Sequence, residues 1–295
     1  MEGVERFNFL AQKSFRFDLS QEEYLELKEL LKIEDNFWVY YPQAMGVMTE
    51  MMSESVFKIY ASLQKPSIKY LSSPGLEFVP ITKHDHWDSF YFGQKNRKTC
   101  AKEGVGIEIN SQGQVCHGTF INGLANGKGT LITSSDLSYY NGEFVDNCFE
   151  GTGTFVLNSG YRYEGQWRTG KRNGFGIEIY PNGDVYEGDF VDNKNEGYGK
   201  LACSSGYICE GQWEDNALNG YSSVSWSHGM EYFGNYKNGK NYGIGNLTKP
   251  DGRSLSGKWA QSKCEEGIYS DTKGREYKIP YEISSEKAMS MLKSK

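Results

Sequence analysis

The chain has 295 residues, of which 38% are hydrophobic and 15% aromatic, and its formal net charge is −6. An acidic chain disfavours nucleic acid as the main partner, because phosphate binding requires clustered Lys and Arg side chains. No segment approaches the roughly 18 apolar residues that indicate a membrane-spanning helix, and the first residues lack the basic head and apolar run of a signal peptide. We therefore expect an intracellular, cytoplasmic protein.

Residues 1–89 are predicted to form a mainly helical N-terminal segment. Ser20 and Glu23 have the spacing of a capping box, which predicts a helix that continues to about residue 32. A second helix is predicted over residues 43–64, with three methionines near one stripe: Met45, Met48 and Met52. This stripe is either a core face packed against the first helix or a groove for a partner, since methionine-rich faces repack easily.

A motif of glycine and aromatic residues recurs through residues 90–277, which we interpret as a repeat array. Its leading glycine falls at Gly93, Gly118, Gly142, Gly165, Gly188, Gly211, Gly234 and Gly257. The steps between these glycines are 25, 24 and then 23 residues, a period typical of open arrays rather than of closed catalytic domains. Residues 278–295 follow as a tail, in which Ala288, Met289 and Leu292 have the spacing of a short helix.

Each repeat is predicted to be a β-hairpin followed by a reversal into the next hairpin. Because alternate residues of a strand share a face, Tyr163 and Trp167 are expected on one side of the first strand. A polar turn over residues 168–173 leads to the second strand, and a second turn follows at residues 181–184. We expect Trp167 to pack over the hollow left by two glycines of its own hairpin, Gly174 and Gly176. The fold class is therefore mainly β: an elongated single-layer antiparallel sheet of about 16 strands.

The pattern Tyr-Glu-Gly-x-Trp, followed by Gly-x-Gly and a closing glycine, resembles the MORN (membrane occupation and recognition nexus) repeat. The clearest copy runs from Tyr163 to Gly183, and the resemblance covers residues 91 to about 274. Copy six departs from the pattern with Ser222 in place of the second glycine, and copy eight has Leu255 in place of the tyrosine. The chain is also similar to the MORN scaffolds that resemble radial spoke head components of cilia and flagella, which implies a binding role in a cytoskeletal assembly.

No residue pattern selects a catalytic, cofactor-binding or metal site, so we expect a protein that is not an enzyme and holds no cofactor or metal. The one metal-like cluster, His84-Asp85-His86 with Asp88, lacks a further His or Cys at ligand spacing and is interpreted as a polar loop. His117 occupies a strand position of its repeat. The six cysteines form no CxxC pair and are interpreted as small apolar fillers.

Two binding hypotheses remain: a scaffold for proteins, and a membrane adaptor for phospholipids or phosphoinositides. Residues 142–234 hold 14 acidic and 6 basic side chains, whereas residues 235–295 hold 12 basic and 7 acidic ones. An anionic membrane would repel the acidic centre of the array. The charge distribution therefore favours the protein scaffold, with the lipid adaptor as the alternative.

We predict that partner proteins bind in an aromatic groove, because exposed aromatic patches mark interaction sites. The residues assigned to this groove are Tyr163, Trp167, Tyr186, Phe190 and Trp213. The acidic centre favours a partner with a basic or amphipathic segment, within a larger assembly. The resemblance implies that this assembly belongs to a cilium, an axoneme or another part of the cytoskeleton.

Overall fold

The computed structural model describes Val56, Ile59 and residues 75–84, 89–279 and 283–284. The chain divides into two compact units, Met1–Asn158 and Ser159–Lys295. Val56 and Ile59 have helical backbone. The rest of the two predicted N-terminal helices, and the helix predicted in the tail, lie outside the described residues.

The described part of the first unit contains a meander of seven strands, in which each strand pairs antiparallel with the next. The strands are β1 (Leu76–His84), β2 (Ser89–Asn96), β3 (Lys102–Ile109), β4 (Val115–Ile121), β5 (Leu124–Ile132), β6 (Tyr139–Val145) and β7 (Cys148–Val156). Strand β1 precedes the predicted start of the array at residue 90.

The described part of the second unit contains twelve strands. They are β8 (Arg162–Arg168), β9 (Lys171–Ile179), β10 (Val185–Val191), β11 (Lys194–Ala202), β12 (Ile208–Glu214), β13 (Ala217–Ser225), β14 (Glu231–Lys237), β15 (Lys240–Thr248), β16 (Ser254–Ala260), β17 (Lys263–Ser270), β18 (Glu276–Ile279) and β19 (Ile283–Ser284). From β8 to β17 each strand pairs antiparallel with the next. Strands β18 and β19 both pair with β17, near its two ends. The eight predicted hairpins correspond to β2 through β17, so the mainly antiparallel β prediction is confirmed.

Two-residue turns close the seven hairpins from β4 to β17, whereas five residues connect β2 to β3. Between β10 and β11, Asp192 and Asn193 have φ angles of 49° and 73°, as in a type I′ turn, whose twist matches that of the flanking strands. The corresponding turn between β8 and β9 is Thr169 and Gly170, with φ angles of 51° and 76°. The six-residue turn that we predicted at residues 168–173 is therefore wrong, because β9 already begins at Lys171.

A β-bulge in every hairpin changes the partner of the motif aromatic. In β8 and β9, Gly165 pairs with Gly176 but Trp167 pairs with Arg172, so β9 carries two extra residues between these pairs. The bulge moves Gly174 out of reach of Trp167 and places it opposite Phe190 of the next repeat. The predicted packing of Trp167 on Gly174 of its own hairpin is corrected accordingly: the aromatic of one repeat lies opposite the glycine of the preceding one.

The two faces of the second unit differ in burial, as the alternation predicted. Tyr163 and Trp167 are buried on one face, which we call the aromatic face, while Glu164 and Gln166 are exposed on the other, which we call the outer face. In the first unit both faces of β2 to β4 are buried, and His117 is a buried strand residue of β4. Further along the first unit the outer face is exposed at Lys128 of β5 and Thr152 of β7, as it is in the second unit.

Candidate functional site

The structure brings the five predicted groove residues together on the aromatic face. Their rings contact one another edge to face, with centroid distances of 5.0 Å for Tyr163–Trp167, 5.2 Å for Tyr163–Phe190 and for Tyr186–Phe190, and 5.3 Å for Tyr186–Trp213. All five are buried, with exposures of 0 to 7%, whereas the prediction placed them on the floor of an open groove. Their role in binding a partner stays a prediction, and little of their surface is accessible for it.

The tyrosines of the aromatic face explain the glycines beneath them. The Tyr163 hydroxyl donates to the carbonyl oxygen of Gln166 at 2.9 Å, and burial raises its pKa to about 12. The ring lies directly over Gly176, where an added Cβ would lie 2.4 Å from the hydroxyl oxygen. This arrangement requires glycine, because no side chain fits in that space.

Copy six departs from the motif at both members of this pair. Cys209 replaces the tyrosine and is buried, and Ser222 replaces the glycine and is 1% exposed. Cys209 is too short to cover residue 222, so the serine side chain fills the space that the ring occupies in other copies. The two departures of copy six therefore compensate for each other, because the smaller residue at position 209 leaves room for the larger one at position 222.

A buried ion pair lies beside the predicted groove residues. Arg172 contacts the Glu178 carboxylate, which also accepts hydrogen bonds from Tyr161 at 2.6 Å and Tyr180 at 2.8 Å. The guanidinium lies 5.2 Å from the ring centroid of Phe190, a cation–π contact. All the charges of this cluster are neutralised internally, which is typical of a structural element rather than of a reactive centre.

Sequence reasoning missed a set of exposed apolar residues on the outer face. The residue between the two glycines of Gly-x-Gly is large and apolar in four successive repeats, on β9, β11, β13 and β15. We call these residues the outer row: Phe175, Tyr198, Tyr221 and Ile244, which are 50%, 53%, 64% and 69% exposed. Their 23-residue spacing is visible in the sequence and was the available signal.

Polar residues of the intervening strands separate the members of the outer row. Asp189 pairs with Phe175, Gln212 with Tyr198, Asn235 with Tyr221 and Lys258 with Ile244. The backbone N–H of Tyr198 in turn donates to the Asp189 carboxylate at 3.3 Å. Across the sheet, the apolar side chains of the outer row therefore alternate with polar side chains on the strands between them.

Carboxylates lie beside the outer row over β8 to β12. Glu164, Glu187 and Glu210 occupy one line across the sheet, in register with Ile177 and Lys200. Glu210 accepts a hydrogen bond from the Tyr198 hydroxyl at 2.7 Å, which raises the pKa of that tyrosine. Lys200 lies 3.8 Å from Glu210, and Glu187 makes no ion pair within the part of the chain that the structure describes. This end of the outer row is consequently acidic.

The other end of the outer row opens into a shallow depression of about 690 Å³. Its apolar wall is formed by Ile244 and Ile268, and its charged lining consists of Lys258, Lys278, Glu266 and Glu276. Charges of both signs balance here, in contrast to the acidic end. The site thus has a direction, from an acidic end over β8 to an end of mixed charge over β16.

Other candidate sites receive little support. His84 lies in β1, but residues 85–88 lie outside the described part of the chain, so the metal-like cluster is untested there. The described residues contain no group of three or more His, Cys, Asp or Glu side chains arranged to hold a metal ion. No helix within these described residues has both the length and the apolar character needed to cross a membrane. The cysteines are free, with Cys148 exposed and Cys209 buried.

Comparison with protein families identifies the repeats. The model of the MORN repeat family matches residues 116–136, 140–160, 163–185, 186–206 and 209–221. These ranges include the five predicted groove residues and three of the four outer-row residues, while Ile244 lies beyond them. No curated protein sequence matches the chain.

Among solved structures, the chain is similar to the TCP10 domain of Danio rerio CPAP in complex with a peptide of Danio rerio STIL. The identity is 10%, the alignment covers 71% of this chain and 98% of that one, and the TM-score is 0.39. The TCP domain of Drosophila melanogaster SAS-4, in complex with a proline-rich motif of Ana2, shares 9% identity over 58% of this chain and 86% of that one, with a TM-score of 0.34. TM-scores at this level carry no functional inference for the chain.

Proposed function

We propose that the chain, in which the MORN repeat family model matches five segments, is a non-enzymatic scaffold that binds a segment of a partner protein on the outer face of the second unit. The observation that carries this proposal is the outer row, whose four large apolar side chains are half exposed or more. An extended apolar patch with polar neighbours is characteristic of an interaction surface on a soluble protein.

Folding of a repeat does not require an apolar residue at the outer-row position. In the first unit, Lys128 and Thr152 occupy the same place between the glycines of their repeats and are exposed. Both repeats nevertheless form the same bulged hairpin. Apolar residues in four successive repeats of the second unit therefore favour a binding role over a packing role.

The charges favour a protein over a membrane as the bound partner. Glu164, Glu187, Asp189 and Glu210 lie beside or within the outer row, and an anionic lipid surface would be repelled by them. A partner with a basic or amphipathic segment would be attracted instead. We extend the proposal to a ciliary or other cytoskeletal assembly of the cytoplasm, which imaging of the tagged full chain in ciliated cells tests.

A double variant of the full chain tests the binding role. Tyr198→Thr with Tyr221→Thr removes two aromatic members of the outer row while keeping residues that favour strands. Val145→Thr is the matched control, because Val145 is 50% exposed on a strand of the first unit. Partners are recovered from native extract with the tagged wild-type chain, identified by mass spectrometry, purified and titrated directly against each variant.

We expect the double variant to weaken binding by about tenfold or more, since aromatic anchors dominate interface energies, and the control to bind like the wild type. A purified partner that binds the double variant and the wild type equally would refute the outer row as the binding surface. Phosphoinositide vesicles that displace every purified partner would favour the membrane adaptor instead.

A further inference from the structure

The spacing of the outer row restricts the conformation of its ligand. Neighbouring strands lie about 4.8 Å apart, so residues on alternate strands, such as Phe175 and Tyr198, are separated by about 9.6 Å. The four members of the outer row then span about 29 Å across the sheet. A ligand that crosses the strands must therefore repeat its contacts at this distance.

A polyproline II helix has this repeat. It contains three residues per turn with a rise of about 3.1 Å, so equivalent side chains recur every 9.3 Å or so, and nine residues span about 28 Å. An α-helix presents equivalent side chains every seven residues, about 10.5 Å apart. Over the three intervals of the outer row, its side chains would fall out of step with the row by about 3 Å. Side chains on one face of an extended strand repeat at about 6.7 Å, which does not match the spacing of about 9.6 Å in the outer row.

The polar residues between the apolar ones suit the same ligand. A polyproline II helix makes no internal hydrogen bonds, so its carbonyl oxygens remain available as acceptors. The amides of Gln212 and Asn235 lie beside Tyr198 and Tyr221 on the outer face. The Gln212 side chain makes no hydrogen bond to any residue that the structure describes, so its N–H groups are free to donate to a ligand carbonyl.

We propose that the outer row binds a proline-rich segment of a partner protein in the polyproline II conformation, with basic side chains over β8 to β12. This inference rests on the proposed function and adds the class of its ligand. Aromatic surfaces recognise such segments because the ligand is already extended and loses little conformational entropy on binding. The exposed carboxylate of Glu187 is placed to receive a basic side chain, whereas the Glu164 carboxylate contacts Arg162 at 2.6 Å. At the other end the lysines are balanced by Glu266 and Glu276, so that end offers no net negative charge.

Synthetic peptides test the ligand class with the purified full chain. The probe contains four Pro-Pro-X triplets, with X as Arg in two adjacent triplets and Ala in the other two, and is made in both orders. One control replaces each Pro-Pro by Gly-Ser, which keeps the length and charge but removes the preformed conformation. A second control is an alanine-rich helical peptide with the same two arginines one heptad apart. Affinities are measured by fluorescence anisotropy at low and at physiological salt.

We expect one order of the proline probe to bind at least tenfold more tightly than the Gly-Ser control. This affinity should fall at least tenfold in Tyr198→Thr with Tyr221→Thr, fall severalfold in Glu164→Gln with Glu187→Gln, and stay unchanged in Val145→Thr. Equal affinity for the Gly-Ser peptide, tighter binding of the helical peptide, or no binding of the proline probe would each overturn the inference. A protein partner whose binding still depends on the outer row would then preserve the proposed function with a different ligand.

Discussion

The substitution Gly199→Ala tests whether the tyrosines of the aromatic face dictate the glycines of the motif. An added Cβ at Gly199 would lie 2.2 Å from the hydroxyl oxygen of Tyr186 and 2.6 Å from Cζ of its ring. Tyr186 is fully buried and donates its hydroxyl proton to the carbonyl oxygen of Asp189 at 3.2 Å. The ring must therefore move, and it can do so only by disturbing its edge-to-face contacts with Phe190 and Trp213.

Two costs add in this variant. Overpacking of a filled core typically costs about 1 to 3 kcal/mol, and a buried hydroxyl that loses its acceptor costs about 1 to 3 kcal/mol. We expect Gly199→Ala to lower the free energy of unfolding by about 2 to 6 kcal/mol. Urea denaturation followed by tryptophan fluorescence measures the change, because Trp213 lies next to Tyr186.

Copy six supplies the matched control. Ser222→Ala changes the equivalent position one repeat later, where the Cβ is already accommodated above Cys209, and only a long 3.5 Å hydrogen bond to Gly220 is lost. This variant should stay within about 0.5 kcal/mol of the wild type. Cys209→Tyr alone should destabilise the chain, and adding Ser222→Gly should restore about 1 to 3 kcal/mol through coupling of the two sites.

The reasoning would be refuted by two results. In the first, Gly199→Ala has the same free energy of unfolding as the wild type. In the second, Cys209→Tyr lowers the stability by the same amount with and without Ser222→Gly, which would show that the tyrosine and the glycine are independent. Either outcome would mean that the ring is free to move away from the glycine at little cost.

Two further predictions follow from buried groups of the described chain. Arg172→Ala should cost about 3 to 5 kcal/mol of stability by leaving Glu178 buried without its cation. Arg172→Leu with Glu178→Gln should cost less in thermal melts, because it removes the buried charge and keeps an acceptor for Tyr161 and Tyr180; equal melting of both variants would contradict this. Maleimide should label the exposed Cys148 at least about tenfold faster than Cys209, because Cys209 is buried and burial raises the pKa of its thiol to about 11. Equal labelling rates by mass spectrometry would show that the aromatic face opens.

Much of the repeat could be predicted from the sequence because its chemistry is local. Alternation placed Tyr163 and Trp167 on the buried face and Glu164 on the exposed one, and the structure confirms this phase. The partner of Trp167 could not be read from alternation, because a 23-residue period allows its glycine to come from the same hairpin or from a neighbour. The two-residue turn at Thr169 and Gly170 would have decided it, since such a turn pairs Trp167 with Arg172.

The outer row was missed for a different reason. We assigned binding to aromatic residues as a class and expected the motif aromatics to remain partly open. In the structure the glycines let these rings lie flat against the backbone, so that Tyr163 and Tyr186 are fully buried within a single layer. The exposed aromatic residues include those between the glycines, such as Tyr198 and Tyr221, which the motif does not constrain.

This division of labour between the faces separates stability from recognition. On the aromatic face a change at one residue can be compensated by a change at another, as Cys209 and Ser222 show. On the outer face a residue such as Tyr221, 64% exposed, contributes little to folding, because substitutions at exposed sites usually change stability by no more than about 0.5 kcal/mol. The outer-row position can therefore vary from Lys128 to Tyr221 while the hairpin is preserved. A surface that varies at constant fold can acquire a new ligand one residue at a time, with the period of the ligand set by the spacing of the strands.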